Sequence, residues 1–156
     1  MDNDLRHLPP DSPEMVDAFD VMVEAFAGME GRIDPPSSLA SMTVEDLRHP
    51  AGEVWVLGDP VVGTVVLTPK PQVLYVGKLA VRDRRRGVGR RLMALAEERA
   101  VELGLGWLEL QSRVELVEVH AVFKALGFHE VMRTTHSGYR WPTSITFRKR
   151  VGPATP

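Results

Sequence analysis

The feature that most constrains the fold is a change of hydrophobic period. From Glu53 the chain holds three strand-like runs, EVWVLG, VVGTVVLT and QVLYVGKLAV, separated by turns at Asp59-Pro60 and Pro69-Lys70-Pro71. β-Branched residues fill these runs and the connections are short, which predicts an antiparallel meander of three strands. After Val81 the period lengthens. Val88, Leu92, Leu95, Ala96 and Leu103 mark one face of a helix that stops at Gly104, and WLELQ from Trp107 to Gln111 reads as the next strand. Strand, helix and strand in one sheet require a right-handed crossover, so QVLYVGKLAV and WLELQ should run parallel. The expected fold class is α/β: a mixed, mostly antiparallel central sheet with one parallel strand pair, flanked by helices.

The remaining segments fit around that centre. A short strand is expected at Leu5 to Leu8. Ser12 and Pro13 supply an N-cap and a first helical proline, and Met15, Phe19, Met22, Val23 and Phe26 form a helical face ending near Gly28. GMEGRIDPPSS reads as a loop and SLASMTVEDLRH as a second short helix. Ser112 and Glu115 have capping-box spacing ahead of a face made by Leu116, Val119, Phe123 and Leu126, closed by Gly127. FHEVMR and SITFRKR supply two final strands, and VGPATP a frayed tail. Residues 1–150 are expected to form one domain, with 151–156 as the tail; no internal repeat is visible.

Composition limits the function. The formal net charge is -2 over 156 residues, which argues against a general nucleic-acid or membrane binder. With no cysteine there is no disulfide framework, thiolate metal site or cysteine nucleophile. The five histidines are scattered without paired ligand spacing, so no metal site is expected. MDNDLRHLPP has neither a basic start nor an apolar run, and the expected location is the cytoplasm.

Against this balanced charge, VRDRRRGVGRRL from Val81 to Leu92 crowds arginines around two glycines, between a strand and a helix. A helix N-terminus carries unpaired N–H groups and the positive end of the helix dipole, and so attracts anions. Gly87 and Gly89 leave room for close approach, and the loop can cradle a pyrophosphate. A Walker loop would need Gly-Lys-Ser/Thr, but Gly89 is followed by Arg90 and Arg91; a dinucleotide fingerprint would want glycine at Leu92.

Arg84-Arg85-Arg86-Gly87-Val88-Gly89 matches the Arg/Gln-x-x-Gly-x-Gly/Ala signature of the GNAT superfamily of N-acetyltransferases, which the chain resembles from about Val54 onward. The LAV strand, the amphipathic helix, the WLEL strand and the helix ending in Leu126-Gly127-Phe128 follow in the family's order, and HSGYRWPTSITF is similar to a subgroup of bacterial members. The resemblance implies acetyl-CoA as co-substrate. It places the pyrophosphate on the backbone N–H groups of Arg86 through Arg90, including Gly87, Val88 and Gly89. Arg84 belongs to the same cofactor-binding stretch. It lays the pantetheine arm along Leu79, Ala80 and Val81, and it sets the loop from Gly28 to Ser38 over the acceptor cleft. A backbone N–H near Leu79 or Ala80 would then stabilise the oxyanion.

Acyl transfer to an amine also needs a proton for the departing thiolate. Many family members place a tyrosine four residues before the Gly-Phe pair; here that residue is Phe123, which has no proton to give. His120, His136 and Tyr139 are the candidate catalytic groups, each weighed against a plain surface or loop-packing role, and proximity and water alone are a further option. Glu118 could meet a cationic acceptor. The expected function is transfer of an acetyl group to a primary amine of a small molecule or protein. The alternative is an acetyl-CoA-binding sensor or partner-binding module without turnover. A nucleic-acid binder using the arginine run ranks lowest. Neither nucleic acid nor membrane is expected as a partner, and a homodimer is compatible with the resemblance.

Overall fold

The computed structural model describes residues 4–49, 51–82 and 87–152. Seven strands form one sheet: β1 (Leu5–Leu8), β2 (Glu53–Leu57), β3 (Gly63–Lys70), β4 (Val73–Val81), β5 (Trp107–Arg113), β6 (His129–Thr134) and β7 (Ser144–Arg150), in spatial order β1-β2-β3-β4-β5-β7-β6. β1 to β4 are antiparallel neighbours, β4 and β5 are parallel, and β5-β7-β6 is antiparallel again. The meander, the parallel crossover and the mixed sheet are therefore as the sequence pattern implies.

Side chains alternate across a strand. Val54, Val56, Val66 and Ala80 accordingly join one apolar cluster, and Leu57, Val65, Leu67 and Val76 join another on the opposite face. The first cluster is covered by α1 (Met15–Ala27), a 3-10 turn (Ser38–Ser41) and α2 (Val44–Arg48). The second is covered by α3 (Val88–Glu102) and by Phe123 and Leu126 at the end of α4 (Val117–Ala125). Gly63 permits the close seating of α3: a Cβ there would stand 2.4 Å from Val88 Cγ1 and 3.0 Å from Leu92 Cδ1.

Several local expectations are corrected. α1 starts at Met15 rather than at Pro13; Ser12 Oγ instead accepts the Glu14 N–H and shapes the preceding turn. Val23 is exposed, its place in the buried face taken by Ala18 and Val21, which join the cluster of Val54, Val56, Val66 and Ala80. Leu103 is also exposed, where Met93 and Ala100 complete the α3 face. The second helix divides at Met42, because Thr43 and Asp46 form a reciprocal capping box that starts α2 afresh. Pro69 and Lys70 pair with Leu74 and Val73, so the hairpin turns on Pro71 and Gln72, with Gln72 at φ 67°. Ser112 and Glu115 make no capping box: Ser112 lies inside β5 and α4 begins uncapped at Val117.

Candidate functional site

β4 and β5 pair only at Val73 to Tyr75 against Trp107 to Glu109. Beyond Tyr75 the two strands continue to Val81 and Arg113 without pairing to each other, so a wedge opens at their carboxyl ends. A bulge reinforces the parting. β3 pairs Val66 with Gly77 and then Thr64 with Ala80, which leaves Lys78 and Leu79 opposite the single residue Val65. Lys78 takes φ 51° to make the extra step. Open α/β sheets bind ligands at such carboxyl ends.

α3 begins at the same end. Gly87, its N-cap, has φ 68°, and among the described residues no side chain caps the helix. The first helical hydrogen bond runs from the Arg91 N–H to the Gly87 carbonyl, 3.1 Å, so the N–H groups of Val88, Gly89 and Arg90 precede the ladder. The first turn holds no acidic residue. Among the described residues, a Cβ at Gly87 would meet nothing within 4 Å, and one at Gly89 would meet Val81 Cγ2 at 3.8 Å. Open glycines, an uncapped positive helix end and an unpaired strand stretch fit a pyrophosphate with an amide-bearing arm. Arg84 and Arg86 of the expected site lie outside the described residues. Arg82, the residue after β4, bonds the Glu24 carboxylate of α1 at 2.6 and 2.9 Å and the Val61 carbonyl at 3.0 Å.

The opposite wall is the loop between α1 and the 3-10 turn. Arg113, at the end of β5, donates to the carbonyls of Pro35 and Pro36. Glu115 accepts the Asp34 N–H at 3.0 Å, and Glu118 takes both of its bonds from Arg32, 2.6 and 2.9 Å. The guanidinium lowers the Glu118 pKa, a sign that this carboxylate is engaged within the protein. Tyr139 reaches from the β6–β7 loop to donate its hydroxyl to Asp34, and that bond raises the phenol pKa above its ordinary value. The loop shares a pocket of about 320 Å³ with the end of α1 and the 3-10 turn, lined by Val23, Phe26, Met29, Glu30, Ile33 and Leu39.

The three expected catalytic side chains are placed as follows. His120 is buried, its Nε2 lies 2.8 Å from the Arg113 carbonyl, and its ring packs on Phe147. A carbonyl only accepts, so Nε2 carries the proton. His136 is pinned by Thr143, whose Oγ1 accepts the His136 N–H at 2.9 Å and contacts Nδ1. Tyr139 is bound to Asp34 as described. Sequence reading missed Arg113 and Glu115 as holders of the loop, and Lys78. The lysine is half-buried at the bulge, and burial lowers its pKa. Its only sequence signal is its position next to Leu79.

The sequence from residue 17 to 128 matches the model of the acetyltransferase (GNAT) family. No curated protein sequence matches the chain. An aminoglycoside 6'-acetyltransferase type Ii superposes with a TM-score of 0.73 at 19% identity, covering 97% of this chain and 99% of that one. The ribosomal-protein-S18-alanine N-acetyltransferase from Escherichia coli gives 0.67 at 17% identity, covering 97% and 95%. A Bacillus anthracis protein described as a streptothricin acetyltransferase, in complex with acetyl coenzyme A, gives 0.58 at 20% identity over 67% and 65%. At these identities the superpositions establish a shared fold.

Proposed function

Because this chain belongs to the acetyltransferase (GNAT) family and is an acetyl-CoA-dependent enzyme, we propose that it acetylates a primary amine carried by a small molecule or a protein. The observation that supports this most is the parting of β4 from β5 beside the uncapped start of α3. In this reading the N–H groups at Gly87, Val88, Gly89 and Arg90, with Arg84 and Arg86, hold the pyrophosphate. Leu79, Ala80 and Val81 pair with the pantetheine arm, and a backbone N–H at Leu79 or Ala80 faces the carbonyl oxygen as negative charge develops. The amine enters from the side of the loop 28–38. Holding amine and thioester together in one cleft supplies much of the rate.

His120, His136 and Tyr139 act as positioning residues in this account. His120 fixes the backbone of Arg113, while His136 and Tyr139 fix the loop that reaches Asp34. Residues 1–150 work as one domain, with 151–156 as its tail. No helix among the described residues is long and apolar enough to cross a membrane. The enzyme is proposed to work in the cytoplasm.

The test is release of the coenzyme A thiol from acetyl-CoA in the presence of a panel of amines. The panel includes an aminoglycoside and an alanine-initiated peptide, because structural relatives are named for acceptors of both kinds. Amine-dependent release with either class supports the reading and selects the acceptor. No release with any amine, by a protein that binds acetyl-CoA, would overturn it in favour of a binding module.

A further inference from the structure

We propose that Lys78 gives the departing thiolate of coenzyme A its proton, a role that rests on the acetyl-CoA reading above. Four observations converge on this residue.

The first is its place in the strand. Lys78 stands in the bulge of β4, after the last residue paired with β5 and directly before Leu79 and Ala80, the amides assigned to the acetyl carbonyl. The second is its backbone. Among the described residues only Gln72 and Lys78 adopt positive φ without being glycine, and Gln72 serves a hairpin turn. Left-handed backbone is disfavoured at a residue with a Cβ, and the bulge removes Lys78 from the regular alternation of the strand.

The third is charge. Lys78 is half-buried, yet among the described residues no carboxylate lies within ion-pair distance of its ammonium. Burial alone lowers its pKa, which makes the ammonium a readier proton donor than an exposed lysine. The fourth is that the other candidates are committed. Phe123 carries no proton, His120 faces the Arg113 carbonyl, His136 is held by Thr143 and Tyr139 by Asp34.

The step balances. As the acceptor nitrogen bonds the acetyl carbon, the C–S bond breaks and its electron pair stays on sulfur. Lys78 Nζ passes one proton to that sulfur. The proton shed by the acceptor nitrogen as it becomes an amide returns to Lys78, directly or through water, and the enzyme is restored.

The experiment needs no acceptor. Coenzyme A is bound to the wild-type protein, to Lys78→Met and to Lys78→Arg, binding is followed by calorimetry, and the thiol is titrated by its thiolate ultraviolet absorbance. An ammonium beside the sulfur lowers the thiol pKa by about one unit, so roughly tenfold more thiolate is present on the wild-type protein than in free coenzyme A at the same pH. Lys78→Met should lose that enrichment and Lys78→Arg should keep it. Bound coenzyme A whose thiol titrates as it does free in solution would overturn the assignment of Lys78 alone. Failure of the wild type to bind coenzyme A would overturn the acetyl-CoA reading and the lysine's role together.

Discussion

Along β4 and the first turn of α3 the cleft is made of backbone: unpaired strand amides, helix N–H groups and two glycines without side chains in the way. The facing loop is held by side chains instead, through Arg113, Glu115, Glu118 and Tyr139, whose partners lie 77 to 105 residues away in sequence. A backbone wall offers the same hydrogen bonds whatever side chains surround it and suits a ligand that never changes, here the coenzyme. A wall held by side chains can be re-cut by single substitutions, and it is where acceptor choice would reside. Changes on the first wall should therefore affect coenzyme binding, and changes on the second should affect the amine.

The largest effect is expected from Gly89→Glu. Its side chain brings a negative charge to the proposed pyrophosphate site, and like charges in an interface cost several kcal/mol, on the order of a hundredfold or more in Kd for acetyl-CoA. Calorimetric titration measures it. Gly63→Ala comes next and attacks the same wall from behind. The added methyl collides with Val88 and Leu92, and such overpacking costs about 1–3 kcal/mol, seen as a lower urea midpoint with unchanged m-value.

On the facing wall, Arg113→Ala removes the donor to two loop carbonyls. Bonds from charged groups contribute about 1.5–3 kcal/mol, so KM for the amine should rise roughly tenfold or more while acetyl-CoA affinity is preserved. Tyr139→Phe should shift the same constant in the same direction by less, since it removes one neutral donor from an already strapped loop. Its pH behaviour has a definite sign. The phenol holds its proton past its ordinary pKa of 10.0, so the bond to Asp34 persists through neutral pH. It is lost only as pH rises through the elevated value, when phenolate and carboxylate repel. Amine KM should rise there in the wild type and not in Tyr139→Phe.

The same division explains what could be read from the sequence. The meander, the crossover and the glycine loop follow from period, turn residues and the order of short segments, all local signals. SITFRKR from Ser144 to Arg150 coincides with β7 to the residue. The loop's anchors were illegible because nothing local marks Glu115 as a partner of Asp34. Its spacing from Ser112 instead suggested a helix cap, and tertiary pairing took the carboxylate elsewhere. His120 could have been solvated by its pattern alone; it is buried because β7 supplies Phe147 beneath it and Arg113, the last residue of β5, offers its carbonyl. Lys78 escaped notice because a bulge is a relation between two strands, invisible in either one.

On this reading the coenzyme is held by the β4–α3 wall and not by the loop. The most direct test is acetyl-CoA titrated calorimetrically into wild type, Gly89→Glu and Arg113→Ala side by side. Tight binding by the wild type and Arg113→Ala, with loss in Gly89→Glu, is the predicted result. Retained binding in Gly89→Glu, or equal loss in both variants, would contradict it.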